Sequence, residues 1–320
     1  MNPPNLLGVL VTYRRPRDLA STLARLAGQD HVLDRLVVVD NDPGTETREI
    51  VESAGGASRA PAEYLAMTEN VGFPGGLAAG IDGLLAEAAD EDWIVVLDDD
   101  DPPESSAVFA DLLGFAQRMV ERDDRTAAVG IRGARFDARK GLLVRVPTHE
   151  IGDAVRVDYI AGNALPLYRV GALRDAGSFS PPLFFSHEEL DIGLRLERKG
   201  YTLYADGVRW RERRSATGRP DELNEERWRI LTPNWRSYYS LRNAIFIMRD
   251  NGRPGAALRI TFSRGLLKPL VNLPRSPRLA GKALALNRRA CVDAWRGRLG
   301  RRVEPNVEQP RPKKVAAPRH

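Results

Sequence analysis

The sequence has a single cysteine, Cys291, in 320 residues. One thiol excludes an internal disulfide and any site in which several cysteines hold a metal. Long apolar runs are also lacking, because no stretch approaches the roughly 18 to 20 apolar residues of a membrane-spanning helix. Residues 1–7 lack a basic segment followed by a long apolar core. These absences predict a cytoplasmic protein that is soluble or held peripherally on the inner face of the plasma membrane.

Acidic residues are scarce toward the C-terminus. Residues 251–320 contain 17 Lys and Arg against 3 Asp and Glu, whereas residues 1–250 contain 31 against 40. The basic region interleaves Leu258, Phe262, Leu266, Leu267 and Leu270 with Arg259, Arg264 and Lys268. This pattern favours a helix on an anionic membrane surface, with plain solvated helices as the alternative. Nucleic acid is the less favoured partner, because aromatic platforms for single strands are sparse there.

Strand-like and helix-like segments alternate through the first part of the chain, which is typical of an α/β domain with a doubly wound sheet. The pattern predicts strands over residues 6–12, 36–39, 63–67 and 93–97, and helices over residues 18–27 and 77–88. Asp18 is a candidate cap of the first helix. With 42% hydrophobic residues, the chain can build one large domain and an appendage. We expect a catalytic domain over residues 1–215, a helical basic region over 216–300 and a disordered basic tail over 301–320.

Four consecutive carboxylates, Asp98 to Asp101, close the apolar run 93–97 and are followed by two prolines. The run is short and branched, as in a buried parallel strand, so the acids fall at the strand's carboxyl end, where open α/β sheets bind ligands. Another acid, Asp40, follows the second predicted strand, residues 36–39. Oxygen ligands select hard cations such as Mg2+ or Mn2+, which usually complete their shell with substrate phosphates. The alternative is a solvated acidic turn.

A glycine-rich stretch, Gly72 with Gly75 and Gly76, precedes a predicted helix. Bare backbone there could approach a phosphate, although a tight turn would explain the same glycines. The spacing matches neither a dinucleotide fingerprint nor a P-loop.

These motifs in this order resemble the family-2 glycosyltransferases, which have the GT-A fold, a Rossmann-like mixed sheet. The resemblance covers roughly residues 6–245. It rests on Val11-Thr12-Tyr13-Arg14-Arg15-Pro16, Val37-Val38-Val39-Asp40-Asn41, Asn70-Val71-Gly72 with Gly75-Gly76, and the Asp-x-Asp of Leu97-Asp98-Asp99-Asp100. By resemblance, the nucleotide-sugar donor is bound by Thr12, Tyr13, Arg15, Asp40, Asn70, Gly72, Asp98 and Asp99. Asp98 and Asp100 would hold Mn2+ or Mg2+.

The acceptor side is carried by the segment from Phe184 to Arg195, which resembles the family segment where an acid opens a helix and acts as general base. An inverting transfer needs a carboxylate to take the proton of the acceptor hydroxyl. Glu189 aligns with the usual aspartate, and Glu188 and Asp191 stay open as competitors. Acids at a helix start are also favoured by the helix dipole alone.

One family feature is lacking. Relatives often have a histidine metal ligand after the next strand, and residues 208–212 contain none. Arg211 stands near that position and is a candidate diphosphate contact. His187 is a candidate to replace the missing histidine metal ligand, although a lone histidine more often has a structural role.

The segment Tyr238-Tyr239-Ser240-Leu241-Arg242-Asn243 and residues 293–300 are similar to parts of rhamnosyltransferases and galactofuranosyltransferases, which build lipid-linked cell-wall and other polysaccharides. The resemblance therefore implies a dTDP- or UDP-linked donor. It also implies a hydroxyl on a glycan, lipid-linked or natural-product acceptor. Three alternatives stay open: a nucleotidyltransferase of related fold, a haloacid-dehalogenase-like phosphatase with Asp98 as nucleophile, and a non-enzymatic nucleic-acid binder.

Overall fold

The computed structural model describes residues 4–137, 139, 141–217 and 233–305. The strands are β1 Leu6–Thr12, β2 Arg35–Asp40, β3 Glu63–Ala66, β4 Trp93–Asp98, β5 Thr126–Gly130, β6 Gly133–Asp137, β7 Leu142–Val144, β8 Ala154–Val157, β9 Tyr159–Ile160, β10 Leu167–Arg169 and β11 Thr202–Asp206. The helices are α1 Pro16–Ala27, α2 Thr45–Glu52, α3 Gly72–Leu85, α4 Val108–Arg122, α5 Val170–Ala176, α6 Glu188–Arg198, α7 Gly207–Thr217, α8 Trp235–Asp250, α9 Pro254–Ile260, α10 Lys268–Val271 and α11 Pro277–Trp295.

The main sheet has the strand order β3-β2-β1-β4-β10-β5-β11-β8, and β6, β7 and β9 form a smaller sheet. Strands β1 to β4 are mutually parallel, whereas β10 runs antiparallel to both β4 and β5. Their side chains are buried nearly throughout β1, β2 and β4, as continuous branched runs predict for a sheet covered on both faces. The observed fold therefore belongs to the α/β class that the sequence predicts.

Two helix starts differ from the prediction. α1 begins at Pro16, where a missing N–H costs nothing, and its cap residue is Arg15. Asp18 lies in the first turn of α1, so its predicted role as cap is wrong. α3 begins at Gly72, five residues before the predicted helix, because the glycine-rich stretch is itself helical.

The glycines of α3 allow the helix to lie unusually close to the sheet. A Cβ at Gly76 would stand 2.8 Å from a Val11 methyl, and one at Gly80 would stand 2.7 Å from a Val9 methyl. Both residues therefore face β1 across a gap that has no room for a side chain. For Gly76 the structure shows a packing role, which differs from both the phosphate cradle and the tight turn that the sequence suggests.

The C-terminal helices build a second apolar cluster beside the sheet. Buried side chains of α8, α9 and α11 pack with Leu183, Phe184, Leu190 and Leu194, which belong to α6 and the loop before it. A π-helical segment, Thr261–Leu267, joins α9 to α10. Residue 215 lies inside α7, so the domain boundary expected there stays a prediction, and the predicted tail beyond residue 305 lies outside the described residues. Within the described part of the chain, no helix is long and apolar enough to cross a bilayer.

Candidate active site

Three parallel strands bring polar residues to one edge of the sheet. Thr12 ends β1 opposite Asp40 of β2, and Val11 pairs with Asp98 of β4. Because neighbouring parallel strands end at the same edge, Thr12, Asp40 and the Asp98 run meet there. The apolar β1, β2 and β4 thus position the predicted donor-side residues in the core of the fold.

The acidic run after β4 forms a compact cluster. One carboxylate oxygen from each of Asp98, Asp99 and Asp100 lies within 4.8 Å of the others. Burial, with the neighbouring Asp100 and Asp99 charges, raises the pKa of Asp98 to about 7. A hard divalent cation matches this all-oxygen set and would offset the repulsion among its charges. The cluster therefore fits the metal that the resemblance implies.

The Asp99 side chain contacts residues at the end of β1 and at the start of α1. Its carboxylate accepts hydrogen bonds from Thr12 Oγ1 at 2.9 Å and from Arg15 Nη1 at 2.8 Å. The same Arg15 nitrogen lies 2.9 Å from an oxygen of Asp100. Arg15 therefore supplies positive charge between two of the three carboxylates, and Thr12 acts through its contact with Asp99.

The other predicted donor residues shape the floor beside this cluster. Asp40 is buried and accepts from the Tyr64 hydroxyl at 2.9 Å. The side-chain oxygen Oδ1 of Asn70 accepts from the Gly72 backbone amide at 2.9 Å, and the exposed Arg14 guanidinium lies over the Tyr13 ring. These contacts hold the loops that end β1, β2 and β3, and donor binding by these residues stays a prediction.

A strained loop joins the donor side to the acceptor side. Phe184, Ser186 and His187 all have positive φ, between 62° and 72°, which is costly for residues with side chains. Gly72 also has positive φ, at 78°, and a Cβ there would overlap the Phe184 carbonyl, which accepts from the Phe73 amide at 3.1 Å. The glycine at the start of α3 therefore allows the loop before α6 to pass against it.

Helix α8 holds this loop from the other side. The buried amide of Asn243 contacts the carbonyl oxygens of Leu183, Phe185 and Ser186 at 2.7 to 3.0 Å. The fully buried guanidinium of Arg242 donates to the Leu183 carbonyl at 2.7 Å. Because one helix satisfies the carbonyls of a backbone in an unfavourable conformation, α8 determines where α6 begins.

The three candidate bases on α6 have different surroundings. Burial raises the pKa of Glu189 to about 7, and the Gly162 amide hydrogen-bonds its carboxylate. Burial raises the pKa of Glu188 well above its usual range, with Glu189 and Asp98 adding to the shift. Asp191 forms an ion pair with Arg195 at 3.0 Å. Of the two neighbouring glutamates, Glu189 is therefore the one that is partly ionised near neutral pH and can accept a proton.

The acidic cluster lies near the start of α6, since the Asp98 charge contributes to raising the pKa of Glu188. Glu188 Oε2 is buried and has no hydrogen-bond partner among the described residues.

His187 has a structural environment. Its Nε2 donates to the Ser240 carbonyl of α8 at 3.1 Å. Burial, with the nearby Arg264 charge, lowers the pKa of His187 to about 4, so the ring is neutral at physiological pH. Its contact is with α8, in agreement with the structural interpretation.

Two arginines of α7 have different partners. Arg211 donates to the carbonyls of Ile151 and Gly152, both at 2.7 Å, and its contact with a diphosphate stays a prediction. Arg213 instead lies 4.0 Å from Asp101 and 3.6 Å from Glu104. Residues two apart on a helix point about 200° apart, so only one of the two can face the acidic run.

Sequence reasoning did not assign roles to Arg213, Gly162, Arg242 or Asn243. Helical periodicity across α7 would have separated Arg213 from Arg211. The Arg-Asn pair of α8 was visible as a motif, but its contacts with residues 182–186 join positions some 60 residues apart. No local pattern indicates that pairing.

Comparisons with known proteins agree with this arrangement. The model of glycosyl transferase family 2 matches residues 9–142. The chain is 31% identical over 209 residues to galactofuranosyltransferase GlfT1 of Mycobacterium tuberculosis strain H37Rv, covering 61% of this chain and 66% of that protein. It is 32% identical over 206 residues to GlfT1 of Mycolicibacterium smegmatis, covering 60% of this chain and 65% of that one. The matches thus span just under two thirds of these relatives.

Solved structures show the same fold. Mannosyltransferase PcManGT from Pyrobaculum calidifontis, solved with GDP-Man and Mn2+, superposes with a TM-score of 0.50 at 14% identity over 92% of this chain and 76% of its own. GalNAc-T7, solved with UDP, GalNAc and Mn2+, gives 0.51 at 11% identity over 87% and 59%. The predicted GT-A fold with a helical C-terminal region is confirmed. Together with the strand-end acids, the family match over residues 9–142 and the relatives at 31% and 32% identity support a family-2 glycosyltransferase.

Proposed function

We propose that this protein transfers a sugar from a nucleotide-diphosphate donor to a hydroxyl group, with inversion at the anomeric carbon and with a divalent cation. Galactofuranose from a UDP-linked donor is favoured over rhamnose from a dTDP-linked donor, because the relatives found are galactofuranosyltransferases. The single observation that carries the proposal is the three-carboxylate cluster of Asp98, Asp99 and Asp100 at the sheet edge, with the buried Glu188–Glu189 pair near enough for the Asp98 charge to act on Glu188. The family assignment favours this activity over a phosphatase, a nucleotidyltransferase or a nucleic-acid binder.

The acidic cluster would hold Mn2+ or Mg2+ through Asp98 and Asp100. When bound, such a cation supplies positive charge that stabilises the departing diphosphate. Arg15 adds a fixed positive charge at the same place, since it already lies between Asp99 and Asp100. Asp99 in turn orients Arg15 and Thr12 rather than facing solvent.

Glu189 is the proposed general base. Its carboxylate takes the proton of the acceptor hydroxyl as the hydroxyl oxygen forms a bond to the anomeric carbon, while the bond from that carbon to the diphosphate oxygen breaks on the opposite face. A pKa of about 7 keeps a substantial fraction of Glu189 ionised near neutrality and matches the driving force for proton uptake. Asp191 is held by Arg195 and serves the structure of α6.

The decisive experiment measures release of free nucleotide from a panel of nucleotide sugars with Mn2+ or Mg2+. We expect turnover of one donor, lost in Asp100→Ala and retained in Asp101→Ala, since Asp101 lies outside the three-carboxylate cluster. If no donor releases free nucleotide and no nucleotide binding depends on the cation, the proposal is refuted. Equal loss in both variants would show that the whole acidic run matters only through its summed charge.

A second experiment separates donor binding from transfer. Glu189→Gln should bind the donor as the unmodified protein does and lose transfer by roughly a hundredfold or more. Glu188→Gln is the matched comparison, with a smaller effect. Retained transfer in Glu189→Gln would move the base to Glu188 or Asp191. NMR analysis of the anomeric configuration of the product tests inversion directly.

A further inference from the structure

A concentrated row of exposed apolar side chains lies on the C-terminal helices. Seven of the eleven large apolar side chains that are exposed among the described residues fall within residues 258–273, with exposed fractions of 40% to 58%. They form what we call the apolar ridge: Leu258, Phe262, Leu266, Leu267, Leu270, Val271 and Leu273. Scattered exposed leucines are ordinary, but a contiguous group this dense marks an interaction surface.

The ridge is one face of an amphipathic segment. Four of its members, Leu258, Phe262, Leu266 and Leu270, recur every fourth residue across α9, the π-helical segment and α10, which keeps these four on a common side. The opposite side is buried: Ala257 and Ile260 pack in the second apolar cluster, and Gly265 lies against Cys291 of α11. The segment is therefore anchored to the protein by one face and presents the other outward.

The surroundings of the ridge are uniformly basic. Residues 251–292 contain nine Lys and Arg and no Asp or Glu. Arg259, Arg275, Arg278 and Lys282 are exposed. Apolar side chains flanked by cations, on a helix that is too short and too polar to span a bilayer, match a surface that lies in the headgroup region of an anionic membrane. A protein partner or a second copy of this chain would not by itself require the excess of positive charge.

The ridge also lies close to the acceptor side of the site. Arg264, on the π-helical segment, donates to the Ser240 hydroxyl at 3.1 Å. The carbonyl of the same Ser240 accepts from His187, the residue that precedes Glu188. Two hydrogen bonds thus connect the segment that carries the ridge with the loop that carries the proposed base.

We propose that the apolar ridge and its basic flank dock this protein onto an anionic phospholipid surface, which presents a lipid-attached acceptor to the Glu188–Glu189 end of the site. The docking surface stands on exposure and charge alone, whereas the presentation of the acceptor rests on the proposed function. Docking inserts the ridge side chains among the lipid headgroups and places the basic residues against lipid phosphates.

Vesicle co-sedimentation of the full chain tests this docking. We expect partition onto vesicles of phosphatidylcholine and phosphatidylglycerol, and little onto phosphatidylcholine alone. The triple variant Arg259→Gln, Arg275→Gln, Arg278→Gln should weaken partition by about fivefold per residue lost, or roughly a hundredfold in total. Phe262→Ser with Leu266→Ser and Leu270→Ser should weaken it by a comparable factor, because serine cannot insert among the headgroups.

Matched controls carry the same substitutions elsewhere. Arg17, Arg25 and Arg122 are exposed arginines away from the C-terminal helices, and Leu143 and Val144 are exposed apolar residues of β7. Their glutamine and serine variants should partition like the unmodified protein, and circular dichroism melting checks that every variant is folded.

Four results would overturn the inference: no partition of the intact chain onto anionic vesicles, equal partition onto neutral vesicles, equal loss in the control variants, or a dimer that forms through the ridge and excludes vesicles. Binding of duplex DNA in place of vesicles, abolished by the arginine variants, would also overturn it. Because partition requires no donor sugar, its failure is distinguishable from failure of the proposed transferase activity.

Discussion

Replacing Asn243 by alanine should disable the proposed base without touching either carboxylate group. The Asn243 amide contacts three carbonyl oxygens of the loop before α6, at 3.0, 2.7 and 2.9 Å, and the residue is fully buried. The side-chain oxygen Oδ1 of Asn243 accepts from Arg242 Nε at 2.9 Å. Alanine would leave these groups without their partner, and a buried unsatisfied group costs about 1 to 3 kcal/mol.

The loss in free energy of unfolding should be about 3 kcal/mol, because several groups share one side chain and relax together. The functional effect has a separate cause. Phe184, Ser186 and His187 hold positive φ values that the chain would leave if it were free to do so. A shift of about 1 Å in a catalytic group can lower a rate by about a hundredfold. We therefore expect kcat to fall by roughly tenfold to a hundredfold, with donor Kd changed by less than about twofold.

Three measurements check this prediction: denaturant unfolding, calorimetric donor binding and initial transfer rates. Asn251→Ala is the matched control directly after the end of α8, because the Asn251 side-chain amide donates to the carbonyl of Ile247 one turn earlier and not to the loop before α6. Unchanged kcat in Asn243→Ala, together with unchanged hydrogen exchange over residues 183–187, would refute the reasoning. A rise in donor Kd as large as the fall in kcat would show that α8 supports the donor side instead.

The remaining predictions concern titration, backbone space and charge. Since burial raises the pKa of Glu189 to about 7 and only the carboxylate accepts a proton, log kcat should fall by one unit per pH unit below about 7, and a flat pH–rate profile would contradict this. Gly72→Ala should destabilise the protein by at least about 2 kcal/mol, because φ is 78° and the Cβ would overlap the Phe184 carbonyl. Gly83→Ala, in open space on the same helix, should stabilise it by about 0.5 to 1 kcal/mol, and thermal melts compare the two. Arg15→Met removes the positive charge beside the acidic cluster, so Mn2+ should bind the donor-free protein more tightly by calorimetry; weaker binding would show that Arg15 organises the carboxylates instead.

Local sequence patterns were sufficient to place Thr12, Asp40 and Asp98 at one edge of the sheet. The β1 strand over residues 6–12 was predicted with its observed bounds, and the strands before Asp40 and Asp98 were placed to within a residue or two. Short continuous runs of branched residues favour buried strands, and neighbouring parallel strands end at the same edge of the sheet. The meeting of Thr12, Asp40 and Asp98 therefore follows from periodicity and topology.

Helix boundaries were predicted less well, for a physical reason. Glycine has low helix propensity, so Gly72, Gly75 and Gly76 favour a turn when read locally. Packing overrides that preference, because only a helix without side chains at these positions can approach β1 and the Phe184 carbonyl closely enough. Likewise, the two arginines of α7 could not be told apart until the residues after β11 were seen to be helical.

By itself, the sequence determined the class of fold, the edge at which the site lies, the acidic cluster and the family resemblance. The tertiary structure decided which acids are buried near one another, that α8 holds the strained loop before α6, and that Arg213 lies beside the acidic run. The reason is that strands and acidic motifs are recognised from short stretches of sequence. By contrast, pKa shifts, hydrogen-bonded carbonyls and close contacts depend on atoms from residues that are far apart in the sequence. Asn243 and Ser186, 57 residues apart in sequence and 2.9 Å apart in space, show this dependence most directly.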